Sequence, residues 1–185
     1  ILDAEPLVTA VAEGRPVLDG ALEQVATRVA GRTLVVALNK VDTVDKPSLL
    51  PVLAAIEARL VALLRRTDAS IAARQAACQR LGTVWAATGA PSASALELFK
   101  AMLVDDRETD IARLTLERTP GAAVDTLLVD AAGKTTGRIR LGIIQTLTAR
   151  APVSAVATLA ALLGDQDPAT AKASATALGQ IGNAA

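Results

Sequence analysis

The chain has 185 residues, 19 Lys plus Arg against 19 Asp plus Glu, no His and one Cys. It therefore lacks the basic surplus with which nucleic-acid binders neutralise phosphate. The missing His removes the commonest general base, the Ser-His-Asp triad and His-based metal sites together, and one Cys excludes an internal disulfide. The apolar share is 51% but the aromatic share only 1%. Ala, Leu and Val dominate, which suits thin layers of helices better than a thick sandwich or barrel.

In chain order, residues 7–12 and 18–29 read as helices separated by Gly14, Arg15 and Pro16, and Gly31-Arg32 ends the second. Residues 33–38 are β-branched at their start and fit a strand or a buried helical turn, which periodicity does not separate in so short a run. The reading adopted is helical packing that caps the array to follow. Asn39-Lys40-Val41-Asp42 then resembles the guanine-reading Asn-Lys-x-Asp of GTPases. No Gly-x4-Gly-Lys-Ser/Thr phosphate loop lies upstream of it. Gly133-Lys134-Thr135 is the tail of such a loop, with Leu128 where the first Gly belongs, and it lies downstream. The run from Asp130 to Gly133 imitates the Asp-x-x-Gly switch in the same wrong order. A helix-breaking loop before Pro47 is the plainer account, with a GTPase-derived fragment as the remote alternative.

From here helices recur in pairs. A helix over 47–64 carries Leu49, Leu50, Leu53, Ile56, Leu60, Leu63 and Leu64. Its charges Glu57 and Arg59 break the longest apolar run, so no membrane span is expected. Asp68 is the expected cap of a second helix over 69–81. That helix holds Cys78, expected as a small buried hydrophobe, and Trp85 follows it as a loop anchor or a partner contact. Next come helices over 91–104 (Leu96, Phe99, Met102 and Leu103 inward) and 108–118 (Ile111, Leu114 and Leu116), with Asp106 between them as cap. Ser94 and Glu97 fit a capping box. The third pair covers 122–132 and 137–149, the fourth 152–163 and 169–181. Pro152 and Pro168 sit in first turns, Gly164 follows a last turn, and Asp167 is placed to cap. Val124 and Leu127 align with Val156 and Leu159 at an offset of 32, and Leu147 aligns with Leu178 at 31. A period of that size marks a solenoid, in which each pair buries its apolar face only by stacking on the next.

Residues 153–168, with the turn Asp165-Gln166-Asp167-Pro168, and the Ala-rich run 173–182, closing on Leu178-Gly179-Gln180-Ile181-Gly182, resemble a HEAT repeat of the bacterial, phycobilisome-lyase-like kind. The resemblance extends over 48–185 and implies an all-α superhelix of the HEAT/armadillo type, of about four helix pairs plus N-terminal helices. It divides the chain into an N-terminal cap or linker, 1–47, and the array, 48–185. In that family a turn Asp meets a basic residue on the second helix, which implies the pairs Asp68 with Arg74, Asp106 with Arg113, and Asp165 or Asp167 with Lys172. Lys134 to Thr136 stand where the third pair should carry its Asp-x-Asp-Pro turn.

Acid pairs such as Asp105-Asp106 and Asp165 with Asp167 sit in turns and read as helix caps rather than glycosidase acids or calcium ligands. The basic residues Arg65, Arg66, Lys134, Arg138, Arg140 and Arg150 read as solvated helix faces. No catalytic, cofactor-binding or metal residue is expected. The expected role is a non-catalytic protein-interaction scaffold, with Arg113, Arg140, Lys172 and Trp85 as candidate partner-binding residues. A lyase-like accessory handling a tetrapyrrole is the alternative, and the absence of His and Tyr argues against it. The start at Ile1 and the apolar end at Ala185 lead to the expectation that the chain is an excerpt of a longer product.

Overall fold

A computed structural model of the chain describes residues 2–3, 38–39 and 46–184. The helices expected over 7–12 and 18–29, and residues 40–45 with Lys40, Val41 and Asp42, lie outside the described residues. The chain divides into two compact units, Ile1–Val84 and Trp85–Ala185.

In the first unit β1 (Leu2–Asp3) and β2 (Leu38–Asn39) pair in parallel, Leu2 opposite Leu38 and Asp3 opposite Asn39. The helical reading of Leu38 is thereby corrected. Helix α1 (Lys46–Leu64) follows and buries Leu49, Val52, Val61 and Leu64. Its residues Pro47–Leu64 are long and apolar enough to cross a bilayer by length and composition, with a mean hydropathy of 1.7. The expectation that no run reaches this length is therefore corrected, although one such helix does not establish a span. Glu57 sits mid-helix and is buried.

Helix α2 (Ile71–Thr88) runs seven residues past its expected end. Gly82 stands just past that expected end, but a lone Gly only weakens a helix by about 1 kcal/mol, and the burial of Leu81, Val84 and Trp85 outweighs that. Ser70, not Asp68, serves its start: its Oγ accepts from the Ala73 N–H at 3.2 Å.

The second unit is a two-layer helix stack. Helices α3 (Ala93–Val104), α5 (Ala122–Lys134) and α7 (Val156–Leu162) are the first members of three pairs. Helices α4 (Thr109–Glu117), α6 (Gly137–Arg150) and α8 (Pro168–Ala184) are the second members. Short turns join α3 to α4, α5 to α6 and α7 to α8, so each pair is antiparallel. Across pairs, α5 packs on α3 and on α7, while α6 packs on α4 and on α8. First helices thus form one layer and second helices the other. Between the layers lie Phe99, Leu103, Leu116, Val124, Leu128, Ile143, Ile144, Leu147, Leu159, Ala177 and Ile181, all buried. Leu, Ile and Ala are large enough to fill so thin a core, which is why one Phe and one Trp suffice. The described residues beyond the strand pair are almost wholly helical, and the architecture is the all-α, HEAT-type helical repeat.

Burial sets the register of the repeat. Val124 and Leu128 on α5 correspond to Ala155 and Leu159, all four fully buried; Gly133 corresponds to Gly164 and Leu147 to Leu178, each 31 residues on. One offset of 31 serves both helices of the pair, and the expected slip to 32 in the first helix is corrected.

Candidate docking surface

The caps fix where each turn begins. Ser92 Oγ accepts from the Ala95 N–H and caps α3, so the capping box expected at Ser94 is corrected by two residues. Asp105 Oδ1 accepts from the Arg107 N–H at 2.8 Å and closes the turn before α4. Asp106, expected as that cap, is free to point elsewhere. Asp167 caps α8, taking the N–H of Ala169 at 3.1 Å and of Thr170 at 3.3 Å, and the Thr170 hydroxyl at 2.8 Å. The Thr170 hydroxyl, then the Ala169 N–H, hold the Asp167 carboxyl below its ordinary range.

The acids and bases form a ladder, but with other partners than the expected ones. Asp68 pairs with Arg66, not Arg74. Arg74 donates to the Leu64 carbonyl at 2.7 Å and the Arg66 carbonyl at 3.2 Å, closing the end of α1. Arg113 donates from Nε to Asp110 Oδ1 at 3.0 Å. Asp110 Oδ2 accepts from Arg138 at 3.0 Å, and Arg138 also reaches Asp106 Oδ1 at 2.7 Å. Asp106 therefore meets Arg138 of the next pair, not Arg113. Arg113 holds the Asp110 carboxyl below its ordinary range first of all, against desolvation, with Arg138 adding to it.

Gly142 on α6 permits this arrangement. A Cβ there would stand 2.9 Å from Arg113 Nε and 3.1 Å from its Cδ. Arg113 thus lies across the seam between α4 and α6 in a space only a glycine leaves. Arg140 pairs with Asp165, whose other oxygen accepts from the Asp167 N–H at 2.9 Å. Lys172, expected to meet one of those two acids, is exposed and pairs with no acid among the described residues.

Arg150 is the residue that the sequence did not reveal. Its guanidinium donates to Asp125 Oδ1 at 2.8 Å and to the carbonyls of Leu116 at 2.7 Å, Glu117 at 3.2 Å and Thr119. The Leu116 carbonyl also accepts from the Thr119 N–H at 3.1 Å, while the Glu117 and Thr119 carbonyls lie at and just past the end of α4, where the helix offers no further donor. A basic residue in the last turn of α6 was visible, and it suits the negative end of its own helix. That it reaches back more than thirty residues to close another helix has no local signature.

Among the candidate contacts, Trp85 is corrected. It lies inside α2, is 0% exposed, and meets Phe99 edge to face, with ring centroids 5.2 Å apart at 73°. It is a core residue and presents no surface. Cys78 is likewise buried. Arg113, Arg140 and Lys172 all lie on the layer α4–α6–α8, the first two held in the ladder and the third open. Leu114 on the same layer is 54% exposed. No group of three or more His, Cys, Asp or Glu gathers at metal-binding range among the described residues.

Comparison with curated proteins and with solved structures gives no match. Residues 125–185 match the family model of HEAT repeats. The matched stretch takes in most of α5 and the whole of α6, α7 and α8, where the two-layer stack is described. Match and architecture together support a HEAT-repeat protein, with the family likeness resting on residues 125–185.

Proposed function

We propose that the chain is a non-catalytic scaffold whose α4–α6–α8 layer docks a protein partner. HEAT repeats are generally protein-interaction elements, and the observation that supports the reading here is the layer itself. Three second helices lie side by side, with Leu114 open to solvent, Lys172 unpaired among the described residues, and the arginines between them fixed by acids. Fixed side chains cost little further ordering on binding, and an exposed Leu amid polar neighbours is a contact of the kind interfaces use. The array over 48–185 and its N-terminal segment 1–47 belong to the same reading. The tetrapyrrole alternative is less well supported, because the one thiol, Cys78, is buried.

The test is a pull-down with the immobilised chain beside a Leu114→Lys, Lys172→Glu double variant of equal helical content by circular dichroism. A protein held by the first and lost from the second supports the layer. Retention of every bound protein by the double variant removes it.

A second reading, a GTPase-derived N-terminal segment, gains from one observation. The strand pair is parallel, and Asn39 of the Asn-Lys-x-Asp run stands at the carboxyl end of β2, the end at which open α/β sheets hold ligands. Titration with a fluorescent guanine nucleotide, against Asp42→Ala, decides it.

A further inference from the structure

The seams between successive helix pairs are not held alike. Arg138 ties the start of α6 to α4. It donates to Asp110 Oδ2 at 3.0 Å and to the carbonyl and carboxylate of Asp106, both at 2.7 Å. Arg150 ties the other end of α6 to the end of α4, through the carbonyls of Leu116, Glu117 and Thr119. Its side chain is only 10% exposed. Arg113 lies between these two, over Gly142. The α4–α6 seam thus carries directional bonds at both ends.

The register of the repeat reaches back to α4. Ala112 and Leu116 stand 31 residues before Ile143 and Leu147, and all four are fully buried. One repeat on, the places of Asp110, Arg113, Arg138 and Arg150 are held by Leu141, Ile144, Ala169 and Ile181. No side chain among these four donates or accepts. Among the described residues, α5–α6 and α7–α8 share a single polar side-chain link, Arg140 with Asp165, just before the start of α8. At the other end of α8, Ile181 is buried but apolar. Apolar burial is non-directional: it keeps helices together without fixing their angle, and packed helices can slide. Charged hydrogen bonds hold a geometry. We propose that the α7–α8 pair pivots on α5–α6 about the Arg140–Asp165 link, with the Ile181 end of α8 swinging. The second-helix layer then changes curvature at the α6–α8 seam and keeps it at the α4–α6 seam, whether or not the layer docks a protein.

Spin-label distances from pulsed electron paramagnetic resonance test this, in a Cys78→Ala chain. Arg118, Ala149 and Gln180 are exposed, successive in the register, and near the far ends of α4, α6 and α8. Arg138 and Ala169, also exposed, mark the pivot end. Cysteines are introduced two at a time at these places. The distance distribution for 149 with 180 is expected to be broader than that for 118 with 149, and broader than that for 138 with 169. Val156→Asp with Ile181→Arg carries the Asp125–Arg150 arrangement one repeat on and is expected to narrow the 149–180 distribution. Arg150→Gln is expected to broaden the 118–149 one, helical content being checked for each variant. A 149–180 distribution no broader than the other two overturns the pivot, and that comparison needs neither variant to fold. So does a breadth that neither variant shifts, which would belong to fraying of α8 rather than to the missing bonds.

Discussion

Gly142 and Gly179 are both helical glycines, and they demand opposite things of a substitution. At Gly179 a Cβ meets nothing within 4 Å, so Gly179→Ala gains the ordinary difference in helix propensity, about 1 kcal/mol. At Gly142 the same atom falls on Arg113, which must leave Asp110 to make way. Gly142→Ala is therefore expected to gain nothing, and urea unfolding midpoints of the two variants measure the contrast. In the sequence Gly142 is one residue inside the helix expected over 137–149. That it houses a side chain of the neighbouring pair follows from packing across 29 positions of chain, which no local pattern carries.

At the level of whole elements, the eight α-helices of the described residues were legible because each is written twice over, in a 3.6-residue apolar stripe and in Pro, Gly, Ser or Asp at its ends. The ladder partners were not legible. Every expected acid–base pair joined residues near in sequence, whereas Arg138 and Arg150 reach the preceding pair and Arg140 the following turn. A long guanidinium in a stack has neighbours above and below as near as those beside it. Arg150 shows how much such a reach can matter. Arg150→Ala takes a charged donor from Asp125 and from the carbonyls of Leu116, Glu117 and Thr119 in a part-buried place. A loss of about 3 kcal/mol is expected, read from denaturant unfolding. Arg150→Lys is expected to recover only part of it, since a compact ammonium lacks the guanidinium's fork of five donors.

For the molecule as a whole, formal net charge is zero at pH 7, so global repulsion is small there and grows only as the acids take up protons. Asp110 and Asp167 are held below the ordinary carboxylate range. An unfolded Asp takes up its proton near pH 4, so on the way down the unfolded chain binds protons that the folded one refuses. Their stabilisation is full above that range and is lost as pH falls through the lowered folded values. Thermal melts at pH 7 and pH 3 are expected to differ, and Asp110→Asn to narrow the difference by lowering the pH 7 midpoint more than the pH 3 one. The repeat fold was legible at this scale from composition and period. The parallel strand pair was not, because two residues of strand leave no period to read. Trp85, read as lying beyond a helix end, turned out to be the innermost ring of the second unit. Since the sequence holds one Trp and no Tyr, near-ultraviolet absorbance and emission come from that single indole. Its fluorescence is a one-point optical gauge of the Trp85–Phe99 contact. It is expected to redden when that contact opens to water and to stay unchanged when a partner docks on the α4–α6–α8 layer.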